Sequence, residues 1–227
     1  MIKIIKSTLL FFTLLITQLG SAQDWPNLKE YSAANKKIDT STLTERVVFM
    51  GNSITHGWVD KDPEFFTKNN YIGRGIGGQT TPQMLVRFRP DVIDLKPAAV
   101  VILAGTNDIA GNTGPMTIEQ IAGNIFSMAE LARANNIKVV ISSVLPVYKY
   151  PWRPEVEPVE KIAQLNTMLK NYADKNDMVY LDYFPATADE QQGFKKEYTD
   201  DGVHPTLAGY KVMEPLVKEA IDKVLGK

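Results

Sequence analysis

The chain has 227 residues, enough for one domain with a full-sized hydrophobic core. Its hydrophobic share of 44% and charged share of 22% are those of a globular protein, and exclude disordered, coiled-coil and collagen-like classes. A formal net charge of −1, with Lys and Arg scattered along the chain, argues against nucleic acid or an anionic membrane as the main partner.

At the start of the chain, Lys3 and Lys6 form a positive region and Leu9 to Ile16 is apolar apart from Thr13. Gly20 and Ala22 then supply a small-x-small cleavage site before Gln23. This pattern predicts a secretory signal peptide over residues 1–22, with an apolar run too short to span a bilayer. Residues 23–227 are then expected to form a single exported domain, periplasmic or extracellular, without a stable membrane anchor. The sequence contains no cysteine, so neither disulfides nor a lipid anchor on Cys contributes.

Next come short apolar runs that do not alternate. They are Arg46–Met50, a weaker one at Asn70–Ile72, Ala98–Leu103, Ile137–Val144 and Met178–Leu181. Such runs suit strands buried on both faces of a parallel sheet. Between and after them lie amphipathic stretches at Pro82–Leu95, Ile118–Asn135, Val159–Lys175 and Thr206–Leu225, the first preceded by Thr80 or Thr81 as N-cap. The alternation predicts an α/β fold, with a three-layer, doubly wound, parallel five-stranded sheet. Sites in such sheets form at the carboxyl ends of the strands, which directs attention to the segments that follow each run.

Those segments carry the parts that acyl transfer needs: a nucleophile, a base, an orienting group and oxyanion donors. Ser53 follows the first strand in Gly51-Asn52-Ser53-Ile54-Thr55. The chain has two histidines, and His204 has a carboxylate, Asp201, three residues upstream. That spacing lets Asp201 fold back onto Nδ1 and leaves Nε2 free as base. Asp200 is the rival orienter. His56, three residues after Ser53, is the rival base, with only Asp60 near it. Gly78, in Gly73-Arg74-Gly75-Ile76-Gly77-Gly78-Gln79-Thr80-Thr81, allows a backbone N–H to approach a ligand closely. Asn107, in Gly105-Thr106-Asn107-Asp108, offers a side-chain amide. Tyr148, Tyr150 and Trp152 crowd the loop after the fourth strand, where they either contact substrate or cover that loop's own core. Trp58 reads as core.

GNSIT, GIGGQTT, GTND and DGVHPT, in that order and separation, resemble the four blocks of the SGNH (GDSL-type) hydrolases. The resemblance implies a flavodoxin-like sheet, ester hydrolysis through an acyl-enzyme, and no metal or cofactor. It assigns the nucleophile to Ser53, the base and orienter to His204 and Asp201, and the oxyanion donors to the N–H groups of Ser53 and Gly78 and the side chain of Asn107. One position departs from the family pattern: Asn52 stands where the first block usually carries Asp.

Gly73 to Gly78 also fits G-x-G-x-x-G, but no acid ends the following strand to hold a ribose. There is no HExxH, no Gly-Lys-Ser/Thr and no G-x-S-x-G. The expected substrate is a small-molecule or polysaccharide ester carrying a small acyl group, acetyl in the first instance, on a carbohydrate. The alternatives are a lysophospholipase- or thioesterase-type acylhydrolase and, from another class, a non-catalytic carbohydrate-binding protein on the same fold.

Overall fold

The computed structural model describes residues 24–41 and 45–227. The signal peptide expected over 1–22 lies outside the described residues. Among those described, no helix is long and apolar enough to cross a membrane.

Five strands form one sheet: β1 (Val47–Gly51), β2 (Tyr71–Gly75), β3 (Ala99–Leu103), β4 (Lys138–Ser142) and β5 (Val179–Leu181). All pairings are parallel and the order is β2-β1-β3-β4-β5. This is the flavodoxin-like order, and its switch point lies between β1 and β3. β1 and β3 are buried along their whole length, which explains why their sequences are continuous apolar runs.

Alternate residues of each strand feed two cores. On one face Val48, Met50, Val100, Ile102 and Ile141 meet helices α2 (Thr81–Asp91), α3 (Ile118–Ala134) and α4 (Val159–Lys175), through residues such as Phe88, Ile121 and Leu165. On the other face Val47, Phe49, Val101 and Leu103 meet α1 (Ser53–Lys61), the short helix Pro63–Lys68 and α5 (Leu207–Leu225). Trp58 is 1% exposed and stacks between Phe65 and Tyr210, at centroid distances of 5.4 and 5.2 Å. Burying each such large side chain contributes roughly 1.5–3 kcal/mol.

Three differences from expectation bear on the site. α1 was not foreseen, and it makes Ser53 the first residue of a helix. β2 runs on through Gly73, Arg74 and Gly75, where a glycine-rich loop was expected. The reason is close approach: a Cβ on Gly75 would lie 2.2 Å from the backbone N of His56, so only glycine lets α1 cross β2 there. The helix expected over Pro82–Leu95 ends at Asp91, with Pro90 in its last turn, and continues as a separate 3₁₀ turn at Ile93–Leu95.

Candidate active site

The strand register sets Gly51 beside both Gly75 and Leu103, so three strand ends finish level at the switch point. Ser53, the Gly77–Gly78 turn and Asn107 each follow within a few residues, and therefore share one rim.

Asn52 shapes the first corner. Its side chain is 1% exposed, and Oδ1 accepts from the N–H of Ile54 at 3.0 Å, capping α1. Asn and Asp cap equally well, so the departure from the usual Asp keeps the cap and removes a charge beside Ser53. As the first residue of α1, Ser53 has an N–H without an intrahelical partner, at the positive end of the helix dipole.

His204 reaches this corner from the far end of the chain. Thr199 Oγ1 donates to the His204 carbonyl at 2.8 Å and accepts from the N–H of Gly202 at 3.0 Å, which shapes the turn. Val203 anchors that turn in the core at 1% exposure. Just beyond, Tyr210 donates from its hydroxyl to the Ile54 carbonyl at 2.7 Å, locking α5 against α1. The result is a contact between Ser53 Oγ and His204 Nε2 at 2.9 Å and another between His204 Nδ1 and Asp201 Oδ2 at 2.7 Å. Asp201 Oδ1 also accepts from the N–H groups of Val203 and His204, at 2.9 and 2.8 Å. Partial burial would raise the Asp201 carboxyl, but these bonds and the facing imidazole outweigh it and hold the group below the usual carboxylate range. His56 turns away: its Nδ1 lies 3.3 Å from the Gly75 carbonyl and its Nε2 3.3 Å from Asp60.

Gly78 has φ +73°, and a Cβ there would meet nothing within 4 Å, so conformation alone demands glycine. No described residue accepts from its N–H. Its carbonyl accepts from Asn112 Nδ2 at 3.2 Å, and Asn112 Oδ1 accepts from the Trp152 indole N–H, also at 3.2 Å. Asn107 is 3% exposed and donates one Nδ2 hydrogen to the Gln79 carbonyl at 2.9 Å. Its second amide hydrogen remains for a ligand. A hydroxyl that touches an oriented imidazole, with donors on the same rim that are left without a partner among the described residues, is an arrangement suited to acyl transfer.

The aromatic loop separates into three roles. The Trp152 ring lies 6.2 Å from the His204 ring and is 41% exposed. Tyr148 is 60% exposed on a neighbouring cleft with Glu155 and Gln192. Tyr150, named among the substrate contacts with a place in the loop's own core as the alternative, takes the alternative: it is 0% exposed, and its hydroxyl pairs with Thr106 Oγ1 at 2.9 Å. Its ring covers the loop's own core.

Sequence reasoning missed Asn112, Gln79, Arg87 and Asp108. A usable signal existed for Arg87: it falls at helical spacing with Met84, Phe88 and Asp91, on the face that is buried. Asp108 Oδ1 accepts from the Thr81 N–H and hydroxyl at 2.9 and 2.6 Å, while Oδ2 is buried without a partner. Desolvation outweighs these bonds and raises the Asp108 carboxyl from 3.8 to about 6. A carboxyl raised in the folded state holds its proton more tightly there than in the unfolded chain. Its contribution therefore favours folding at low pH and is lost as pH rises through about 6. Relative to wild type, Asp108→Asn should gain about 2 kcal/mol of stability between pH ~4.5 and pH ~8. Thermal or urea unfolding of both proteins at the two pH values checks this; a stability difference that does not change with pH refutes it.

Residues 49–212 match the model of the GDSL-like lipase/acylhydrolase family. A crystal structure of a GDSL-like lipase from Bacteroides thetaiotaomicron VPI-5482 is 50% identical, with a TM-score of 0.85, over 87% of this chain and 98% of that one. Esterase TesA of Pseudomonas aeruginosa is 27% identical over 164 residues, 70% of this chain and 75% of that protein. A Bacillus subtilis lipoprotein, YqeF, is 34% identical over 79 residues, and the match spans 32% of its length.

Proposed function

Because the chain belongs to the GDSL-like lipase/acylhydrolase family, we propose that it is an exported serine esterase working through Ser53, His204 and Asp201. The observation that carries the reading is the unbroken chain of contacts from Ser53 Oγ to His204 Nε2 at 2.9 Å and from His204 Nδ1 to Asp201 Oδ2 at 2.7 Å.

In this mechanism His204 Nε2 takes the Ser53 proton while Oγ attacks the ester carbonyl. The N–H groups of Ser53 and Gly78 and the amide of Asn107 hold the oxyanion of the tetrahedral intermediate. His204 returns the proton to the leaving alcohol as the acyl-enzyme forms. It then activates water to release the acid. Asp201, kept ionised, fixes the imidazole tautomer and stabilises the imidazolium.

The proposed substrate is a small acyl ester, acetyl first, on a carbohydrate. Its support is the rim of the site. The exposed Trp152 ring beside His204, with Asn112 at its edge, offers an apolar face and amide groups to a sugar leaving group. The test is a series of p-nitrophenyl esters of increasing acyl length, run beside acetylated xylan and pectin. Acetate should be turned over best, and acetate should be released from at least one polysaccharide. A preference for octanoate would replace this substrate with that of a long-chain acylhydrolase. No turnover of any ester would leave a binding role and remove the enzyme reading.

A further inference from the structure

The segments that carry the proposed nucleophile and the Gly78 donor meet behind the rim on one buried cation, and the Asn107 donor is tied to it through Gln79. Arg87, in α2, is 0% exposed. Its Nη2 donates to the carbonyl of Gly51, two residues before Ser53, at 2.8 Å. The same nitrogen donates to the carbonyl of Arg74, at the end of β2, at 3.0 Å. Its Nε donates to Gln79 Oε1 at 2.5 Å. Gln79 directly follows Gly78, and its own carbonyl holds Asn107. The charge is balanced by Asp91, whose Oδ2 lies 2.9 Å from Nη1. Asp91 is itself steadied by Asn35 Nδ2 at 2.8 Å. From outside, Gln79 Nε2 donates to the Pro26 carbonyl at 2.7 Å, so the segment before β1 clamps the same residue.

A buried guanidinium is costly, and removing one partner of a buried pair is strongly destabilising, whereas an apolar replacement of the whole set is often tolerated. Packing alone therefore does not call for Arg87 here. The planar fork of Arg suits the arrangement because it presents donors at fixed angles to several acceptors, which a lysine ammonium does not. We propose that Arg87, acting through Gln79, is a positioning residue that sets the Gly78 N–H and the Asn107 amide at the distance a transition-state oxyanion requires. The proposal rests on the reading of Ser53 as nucleophile only for its kinetic consequence; its structural consequence stands apart.

Displacing such donors by a fraction of an ångström weakens transition-state binding more than ground-state binding, so kcat should suffer and KM should not. Asn107→Ala alone should lower kcat roughly 100- to 1000-fold. Arg87→Lys should lower kcat about 10- to 100-fold on p-nitrophenyl acetate with KM within about twofold. In the Asn107→Ala background the same Arg87→Lys change should cost at least about threefold less, because one donor it positions is already gone. In nuclear magnetic resonance spectra, Arg87→Lys should move the Gly78 backbone amide and the Asn107 side-chain amide signals, while amides of α5 away from them stay in place. Equal kcat losses in both backgrounds, or unmoved Gly78 and Asn107 signals in a folded variant, overturn the proposal. Moved signals in a protein whose wild type lacks Ser53-dependent turnover would instead overturn the esterase reading and leave the positioning role standing. Should Arg87→Lys fail to fold, Gln79→Met carries the same test. It cuts the link from Arg87 to the Gly78 segment together with the bond from Gln79 to the Pro26 carbonyl, and leaves the contacts of Arg87 with Asp91, Gly51 and Arg74.

Discussion

Ser53→Ala should abolish esterase turnover, with kcat falling by about 10⁶-fold, while the protein stays folded. The size follows from how such groups work: nucleophile and base act as a unit, and losing either costs about as much as losing both. His204→Ala should therefore give a similar loss, and the double variant should be little worse than either single one. Folding should be spared because, among the described residues, Ser53 Oγ has one side-chain partner, His204 Nε2, and alanine is well tolerated in the first turn of α1. The cap on that helix comes from Asn52 and is untouched. The checks are kcat and KM on p-nitrophenyl acetate, thermal unfolding, and mass spectrometry after a fluorophosphonate. Wild type should gain one covalent adduct on Ser53 and the variant none. Turnover by the purified variant within tenfold of wild type would exclude Ser53 as nucleophile.

The candidate site was legible in the sequence to the extent that each of its parts is local. Asp201 and His204 lie on one turn, and a spacing of three residues is enough to say that a carboxylate can reach an imidazole. The choice of Asp201 over Asp200 has a visible basis in the structure: Oδ1 of Asp201 accepts from two backbone N–H groups of the turn, which leaves Oδ2 facing the ring. The alternating strands and helices, including Val159–Lys175 to the residue, were readable because burial on both faces leaves continuous apolar runs and amphipathic helices leave a period. α1 was not readable. Its sequence, Ser-Ile-Thr-His-Gly-Trp-Val-Asp-Lys, is rich in β-branched and glycine residues that disfavour a helix in isolation. Tertiary packing of Trp58 and Ile54 forms it instead. The glycines of β2 resembled a loop because sequence alone does not separate a glycine required for positive φ from one required for close approach. Gly78 is the first kind and Gly75 the second. Arg87 was missed because a charge on a helix is read as surface, and only the third dimension reveals a guanidinium matched by four acceptors. Tyr150 stayed open between substrate and core for a related reason: its hydroxyl partner, Thr106, lies far away in sequence.

Asp201→Asn is the second large effect, and it separates orientation from charge. The amide oxygen of Asn can still accept from the N–H groups of Val203 and His204, so the turn and its anchor Val203 should persist. What changes is the face turned to the imidazole. Where Oδ2 accepted from Nδ1–H at 2.7 Å, the variant presents an NH₂ donor. The neutral ring then prefers the tautomer with Nδ1 as acceptor and Nε2 protonated, and a protonated Nε2 does not accept the Ser53 proton. The loss expected from holding the wrong tautomer is about 10⁴-fold in kcat, smaller than for Ser53→Ala because geometry and oxyanion donors remain. Asp200 makes no hydrogen bond to His204, so Asp200→Asn should stay within about twofold of wild type. The pair of variants therefore measures a role and not a local charge: both remove one negative charge from adjacent residues, and only one changes which ring nitrogen carries the proton. Equal losses in the two would point to a general electrostatic effect of the turn and would exclude Asp201 as the orienting group.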